Sequence, residues 1–187
     1  LKSQSCICAL GNGCFRVKHP IGCENTAFGC RAFHTVGTIA KCNVAMGFCA
    51  LHCACCACCN VVIGACAGAK GLRLRRSVVI GHCAANLGCF IQDTVAIGNA
   101  AARCSVNARN TAVGHFAGEC FCQAQDNVAI GYYAMQKGDN IIGTVAVGRN
   151  ASQGNGNLVC NYQSVAIGAY AHAQVINGSA DIMIGRC

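Results

Sequence analysis

Acidic residues are scarce in this chain: six Asp and Glu stand against fourteen Lys and Arg in 187 residues. With so few carboxylates, general acid–base catalysis has few candidates. No paired carboxylates, Ser/His/Asp set or phosphate loop can be assembled. There is one proline and no tryptophan, and only 11% of residues are charged while 54% are hydrophobic. A chain this apolar is expected to bury much of its surface against something else. Long apolar runs are also missing, because glycine and small residues interrupt each one well short of the roughly eighteen residues a membrane span needs. No span is expected and no signal peptide is visible. The chain opens on Leu1 rather than methionine, so a processed chain or a fragment is expected. Two residue types stand in excess, with 23 glycines and 20 cysteines.

The net charge of +8 would suit an acidic partner such as nucleic acid, an anionic glycan or a membrane surface. Solvation of exposed edges is the simpler account, since only Arg73, Arg75 and Arg76 form a tight basic run. These three are the candidates for an anionic ligand, and nucleic acid is not the favoured partner.

The glycines are placed by a repeat. NTAFG (Asn25–Gly29), NVAMG (Asn43–Gly47), NVVIG (Asn60–Gly64), SVVIG (Ser77–Gly81) and TVAIG (Thr94–Gly98) are followed by NTAVG (Asn110–Gly114) and NVAIG (Asn127–Gly131). TVAVG (Thr144–Gly148), SVAIG (Ser164–Gly168) and DIMIG (Asp181–Gly185) complete the set, and a degenerate copy ends at Gly11. Successive glycines are mostly seventeen apart, with one gap of sixteen, two of eighteen and one of twenty. The long gap carries a turn-rich insertion near 154–157. Such a period is the signature of a stacked repeat, in which one unit cannot bury its own apolar face.

Each motif position has a physical reading. The first is always Asn, Ser, Thr or Asp, which bond their own backbone in tight turns, so a corner is expected there. The next four alternate, with Val128 and Ile130 on one side and Ala129 and Gly131 on the other, and a period of two is a strand. The large residue before each glycine (Phe28, Met46, Ile63, Ile97, Ile130 and their equivalents) is expected to form the inner core column. Ala129, Gly131 and their equivalents would then suit close packing against a neighbouring chain. An alanine column three residues after the glycine, from Ala32 to Ala171, implies close backbone approach. A weaker alternation follows at Leu72 and Leu74, Cys89 and Ile91, Val106 and Ala108, and Cys122 and Ala124, which predicts a second short strand per repeat. A helix is excluded by recurrent mid-element glycine, by β-branched residues and by the missing helical apolar stripe.

The expected fold is all-β: a parallel β-solenoid of about 10–11 rungs of about 17 residues, a rod about 50 Å long at about 4.8 Å per rung. It forms a single repeat domain over 1–187, with 1–24 a degenerate N-terminal rung and 25–187 regular. NVAIGYYA (Asn127–Ala134), TVAIGNAA (Thr94–Ala101) and SVAIGAYA (Ser164–Ala171) resemble the head repeats of YadA-type trimeric autotransporter adhesins and related phage and giant-virus fibre repeats. The resemblance spans about Asn25 to Gly185. It implies a left-handed β-roll, three chains per fibre, and adhesive or structural work on a virion, appendage or cell surface. It implies no catalytic residues and no cofactor, and a surface glycan or receptor as the partner besides the other two chains.

The cysteines have no counterpart in that resemblance, and three readings stay open. Residues at one motif position in adjacent rungs sit about 4.8 Å apart, inside the disulfide window for Cα atoms. On that count Cys42 with Cys59, Cys104 with Cys120, and one pair from Cys49, Cys66 and Cys83 are disulfide candidates for an oxidising compartment. Other cysteines act as small core residues, with Cys55, Cys89 and Cys122 in the column that Leu72 and Val106 fill. Alternatively Cys53, Cys55, Cys56, Cys58 and Cys59 are dense enough for a thiolate metal cluster, which would make this a cysteine-rich metal-binding protein.

A trimeric left-handed β-helix enzyme, of carbonic anhydrase or acyltransferase type, is the other alternative. His82 and His115 each follow a motif glycine two rungs apart, but Asn99 stands between them. Strong apolar positions also recur once per seventeen residues, not every six. His34 and His52 share a position and are expected to form a surface ladder. Tyr132, Tyr133 and Tyr170 could join a glycan-binding face.

Overall fold

The computed structural model describes residues 7–10, 24–34, 39–70, 73–120, 123–137, 140–154, 160–172 and 177–186. Every motif forms a short strand, and each pairs in parallel with the motif strand one repeat away. The result is one eleven-stranded sheet that runs from Ile7–Leu10 through Val78–Ile80 and Val128–Ile130 to Ile182–Ile184. Pairing is in register, with Ala96 beside Val79 and Ala112, and Ala129 beside Ala146. The second strand of each repeat builds an opposite wall. There Ile39–Lys41, Cys56–Cys58, Arg73–Arg75, Phe90–Gln92 and Val106–Ala108 form a five-stranded parallel sheet. The wall continues as a Gln125–Ile142 bridge and as Cys160–Tyr162 paired with Asn177–Ser179. The chain is therefore a rod-like parallel β-solenoid with rungs of about 17 residues. Leu72, Cys122 and the 155–157 part of the expected insertion lie outside the described residues.

The inside of the rod differs from the sequence expectation. Ala27, Ala45, Val62, Val79, Ala96, Ala112, Ala129, Ala146 and Ala166 point inward and are buried. The large residues before each glycine point outward, with Phe28 50%, Met46 40%, Ile97 36%, Ile130 39% and Ile167 39% exposed. The alternation is as expected but its sign is reversed. The reason is volume: the two walls are so close that a rung holds at most two large side chains.

Where the corner residue four after the glycine is large, as Phe33 or Leu51, the facing strand residues are Ala27 and Ala40, or Ala45 and Ala57. Where that residue is Gly68, the walls carry Val62 and Leu74, and a Cβ on Gly68 would meet Val62, Leu51 and Leu74 side chains at 3.5–3.6 Å. In these rungs a large corner residue is matched by small wall residues and a small corner by large ones, as close packing favours.

The first motif position also differs from expectation where it is asparagine. Asn25, Asn43 and Asn60 are buried and form a ladder instead of turning back on their own backbone. Asn43 Nδ2 donates to Asn25 Oδ1 at 2.9 Å and to Ala57 O on the opposite wall at 2.9 Å. Asn43 Oδ1 accepts from the Asn60 backbone N–H at 3.1 Å and from Asn60 Nδ2 at 2.8 Å. Each asparagine therefore ties rung to rung and wall to wall. Ser77 and Thr94 behave as expected, with their hydroxyls donating to Arg75 O at 2.8 Å and Gln92 O at 3.0 Å.

Corners are turned by residues in the left-handed region. These include Cys42, Cys59, Arg76, Asp93, Arg109 and Asp126 just before the motif, and Cys49, Cys66 and Cys83 two residues after its glycine, with φ between 48° and 61°. Such a conformation costs about 1–2 kcal/mol per residue, and the interrung hydrogen bonds offset it. The motif glycines lie at φ near +130°, stacked so closely that a Cβ on Gly114 would stand 2.4 Å from Gly131 O.

Candidate functional site

The outer side of the eleven-stranded sheet is the largest feature. Two columns face out: Thr26, Val44, Val61 and their successors to Ile182, and Phe28, Met46, Ile63 and their successors to Ile184. Neither column contains a charged residue. In place of the alanine–glycine face expected to meet another chain, it is this valine–isoleucine face that lies open, because the alanines fill the interior. At about 4.8 Å per rung it runs for about 50 Å. The sequence signal for it was the size contrast within the motif, large beside small in strict alternation.

The cysteine columns fall as counted from the sequence. Cys42 and Cys59 occupy equivalent corners in adjacent rungs, with the Cys59 N–H bonded to Lys41 O at 2.8 Å. Their thiols are neighbours, and the Cys42 Sγ donates to Glu24 Oε2 at 3.1 Å. Cys42 is pushed up to about 11, first by that hydrogen bond to Glu24 and then by desolvation and the Glu24 charge. Glu24 was missed in sequence because it fell within the stretch read as a degenerate rung.

Cys49, Cys66 and Cys83 form a three-rung ladder, and burial followed by the neighbouring Cys83 and Cys49 raises the Cys66 thiol. Cys104 and Cys120 share a column, with the Cys104 N–H bonded to Glu119 O at 2.7 Å. Cys55 is exposed, and Cys56 and Cys58 face outward on the second wall while Ala57 between them is buried. Cys53 lies instead in the turn, its Sγ 2.8 Å from His52 Nδ1. The cluster of five is thus divided among a turn, a sheet face and a corner. Among the described residues no group of three or more His, Cys, Asp or Glu side chains is arranged to hold a metal ion.

Val106 does not share a column with Cys89. It pairs with Phe90 and so stands in the outward column of Arg73. The sixteen-residue repeat between Gly98 and Gly114 has lost its residue before this strand, so counting forward from the glycine places Val106 one position off.

The basic run divides as well. Arg76 is engaged by Asp93, with Nε to Oδ1 at 2.5 Å and Nη2 to Oδ2 at 2.8 Å. Arg73 lies over the Phe90 ring at 5.2 Å, beside a shallow groove lined by Phe90, Gln92, Val106, Ala108 and Gln125. Arg75 faces out in register with Cys58, and Cys58 with Lys41. The Arg76 hydrogen bond is the first cause holding Asp93 down at about 2, followed by the Gln92 bond. A depressed carboxyl stabilises the fold above the unfolded pKa of about 3.9. This contribution is lost as pH falls from about 4 to about 2. Asp93 is exposed to solvent, so the effect is small. In thermal melts, the margin of the unmodified chain over Asp93→Asn is expected to shrink to nothing across that acid window.

Ring ladders occupy the positions after the glycine. His34 and His52 stack as expected, with centroids 5.0 Å apart. His82 contacts Asn99 rather than His115, and His115 stacks on Tyr132 at 5.2 Å. Arg149 sits 5.8 Å from the centroids of both Tyr132 and Tyr170. These ring faces are turned toward neighbouring rungs and not outward. No described helix is long and apolar enough to cross a membrane. No protein-family model, curated protein or solved structure matches this chain.

Proposed function

We propose that this chain is a structural, adhesive fibre segment without enzymatic activity. In this reading three copies pack as left-handed rolls, on a virion, appendage or cell surface, in an oxidising extracellular compartment. The observation that carries it is the outward face, mostly valine and isoleucine, with no charged residue in either column. An apolar stripe about 50 Å long is at or beyond what soluble monomers leave in water. A second copy can cover all of it, because the face repeats with the same period in every chain. Resemblance to the trimeric adhesin heads selects three copies around an axis over two face to face.

Cysteine cross-links, at Cys104–Cys120, at Cys42–Cys59 and within Cys49, Cys66 and Cys83, would make the rod durable. The unassigned partner is a surface glycan or receptor.

The test places arginine on the face. Light scattering is expected to give three chains per particle for the unmodified protein and one for Ile97→Arg/Ile130→Arg. Both side chains point outward, so the variant should keep its β circular dichroism. A monomeric unmodified chain, or a variant that stays trimeric, would overturn the reading.

A further inference from the structure

Along one edge of the rod, Glu24, Cys42, Cys59 and Arg76 occupy the same corner position in four successive rungs. The two cysteines in this ladder are chemically unlike. Cys42 gives its S–H to the Glu24 carboxylate at 3.1 Å. On the far side Cys59 stands next to Arg76 in the ladder, whose guanidinium is engaged by Asp93. Both thiols are exposed to solvent. Beside them the outward column of the second wall sets Lys41, Cys58 and Arg75 in line. Among the described residues neither Lys41 nor Arg75 has an acidic partner. Lys41 and Arg75 thus flank the dithiol with uncompensated positive charge, which draws a small anionic disulfide toward it.

We propose that Cys59 is a thiol–disulfide exchange site for small anionic disulfides, with Cys42 as its resolving thiol and Glu24 as the group that delays resolution. This deepens the cross-link reading for one pair. It rests on the rung register and on the charged groups beside the pair, so it does not depend on the trimer.

In the first step the Cys59 thiolate attacks one sulfur of the small disulfide. A mixed disulfide forms at Cys59, and one small thiolate leaves and takes up a proton in place of the one that Cys59 gave to solvent. In the second step Cys42 loses its proton to solvent and attacks the Cys59 sulfur. The second small thiolate leaves and takes up a proton. Two electrons and two protons have then passed from the dithiol to the small disulfide, and the Cys42–Cys59 bond is closed.

The second step is slow because the proton on Cys42 is held by Glu24. A thiol at about 11 in place of 9.0 has about a hundredth of the thiolate at neutral pH, while its greater intrinsic nucleophilicity recovers a factor of roughly eight. Glu24 is the largest cause, ahead of desolvation and the neighbouring Cys59, so removing its charge is expected to speed closure several-fold, up to about tenfold. The direction is opposite to that of a carboxylate acting as a base.

The experiment uses the full, reduced chain and glutathione disulfide at neutral pH, with acid quenching, differential alkylation and fragment-ion mapping of each cysteine over time. The expected order is a glutathionyl adduct on Cys59 first and the Cys42–Cys59 disulfide later. Glu24→Gln should close several-fold faster, up to about tenfold, by the same thiolate argument, and Cys42→Ser should stop at the adduct. Glu24 is exposed and Gln keeps its shape, so this variant should fold. An adduct that forms first on Cys42, or closure no faster in Glu24→Gln, overturns the proposal even if the link itself forms. Modification of Cys59 no faster than of exposed Cys55 also overturns it. Failure of the Cys42–Cys59 bond to form in either protein, while Cys104–Cys120 links, overturns it and removes this pair from the cross-links.

Discussion

Replacing Gly114 by alanine is expected to cost about 3 kcal/mol or more, the sum of a strained backbone and a displaced neighbour. Gly114 sits at φ +133°, where a Cβ is disfavoured, and the added carbon would stand 2.4 Å from the Gly131 carbonyl oxygen and 2.8 Å from its carbon. These are backbone atoms of the next rung, already held by the Gly131 N–H bond to Val113 O at 2.8 Å, so they cannot rotate away. In a stacked repeat each rung is stabilised by its neighbours, and a gap at this height weakens both halves. The melting temperature should fall by about 10 °C for a chain of this size. Gly185→Ala provides the comparison. It shares the backbone angle, at φ +132°, but a Cβ there meets nothing within 4 Å. Circular-dichroism melts should show a much smaller loss for Gly185→Ala. Equal losses would mean that backbone angle alone, and not stacking, makes these positions glycine.

The contrast between those glycines shows which parts of the fold were open to sequence reasoning. Rung length follows from glycine spacing, because glycine alone tolerates both the angle and the contact. Strand identity follows from Val128, Ala129 and Ile130, since alternation has only one backbone solution. Which face points inward does not follow from hydrophobicity. Ile130 is the more apolar residue, yet a narrow roll has space only for Ala129, and an open apolar face looks in sequence like a core. Phe33 and Gly68, which trade volume with the walls, were a usable clue.

The register of the second wall was legible only in rungs of constant length, which is why Val106 slipped by one. Counting did place Cys42 beside Cys59. Glu24 holds the same place before Asn25 that Cys42 holds before Asn43, so the count reaches it, but only the structure shows its carboxylate bonded to the Cys42 thiol. Arg76 was grouped with the candidates for an anionic ligand because its partner Asp93 lies seventeen residues away, and only stacking brings them together.

Asn127→Asp is expected to destabilise the rod by about 4 kcal/mol at neutral pH, the scale for a buried charge without a counterion and with lost hydrogen bonds. The substitution is nearly isosteric, so the effect isolates chemistry from packing. Asn127 is 1% exposed. Its Nδ2 donates to Ile141 O at 2.7 Å and to Asn110 Oδ1 at 3.1 Å, while its Oδ1 accepts from the Thr144 N–H at 2.8 Å. A carboxylate keeps the last bond but sets an oxygen against two acceptors.

Protonation restores one of the two donors, so the folded state should hold this carboxyl above its unfolded value of about 3.9. A raised carboxyl makes the fold relatively more stable in acid and progressively less stable as pH rises toward the folded value. The stability gap to the unmodified chain should therefore narrow as pH falls to about 4. Asn127→Ala loses the same donor without gaining a charge, so its gap should be independent of pH. If melts of the two variants across this range run parallel, the asparagine column fills space and does not tie the walls together. If they diverge in acid, donation from Nδ2 to Ile141 and Asn110 is what the motif asparagine supplies.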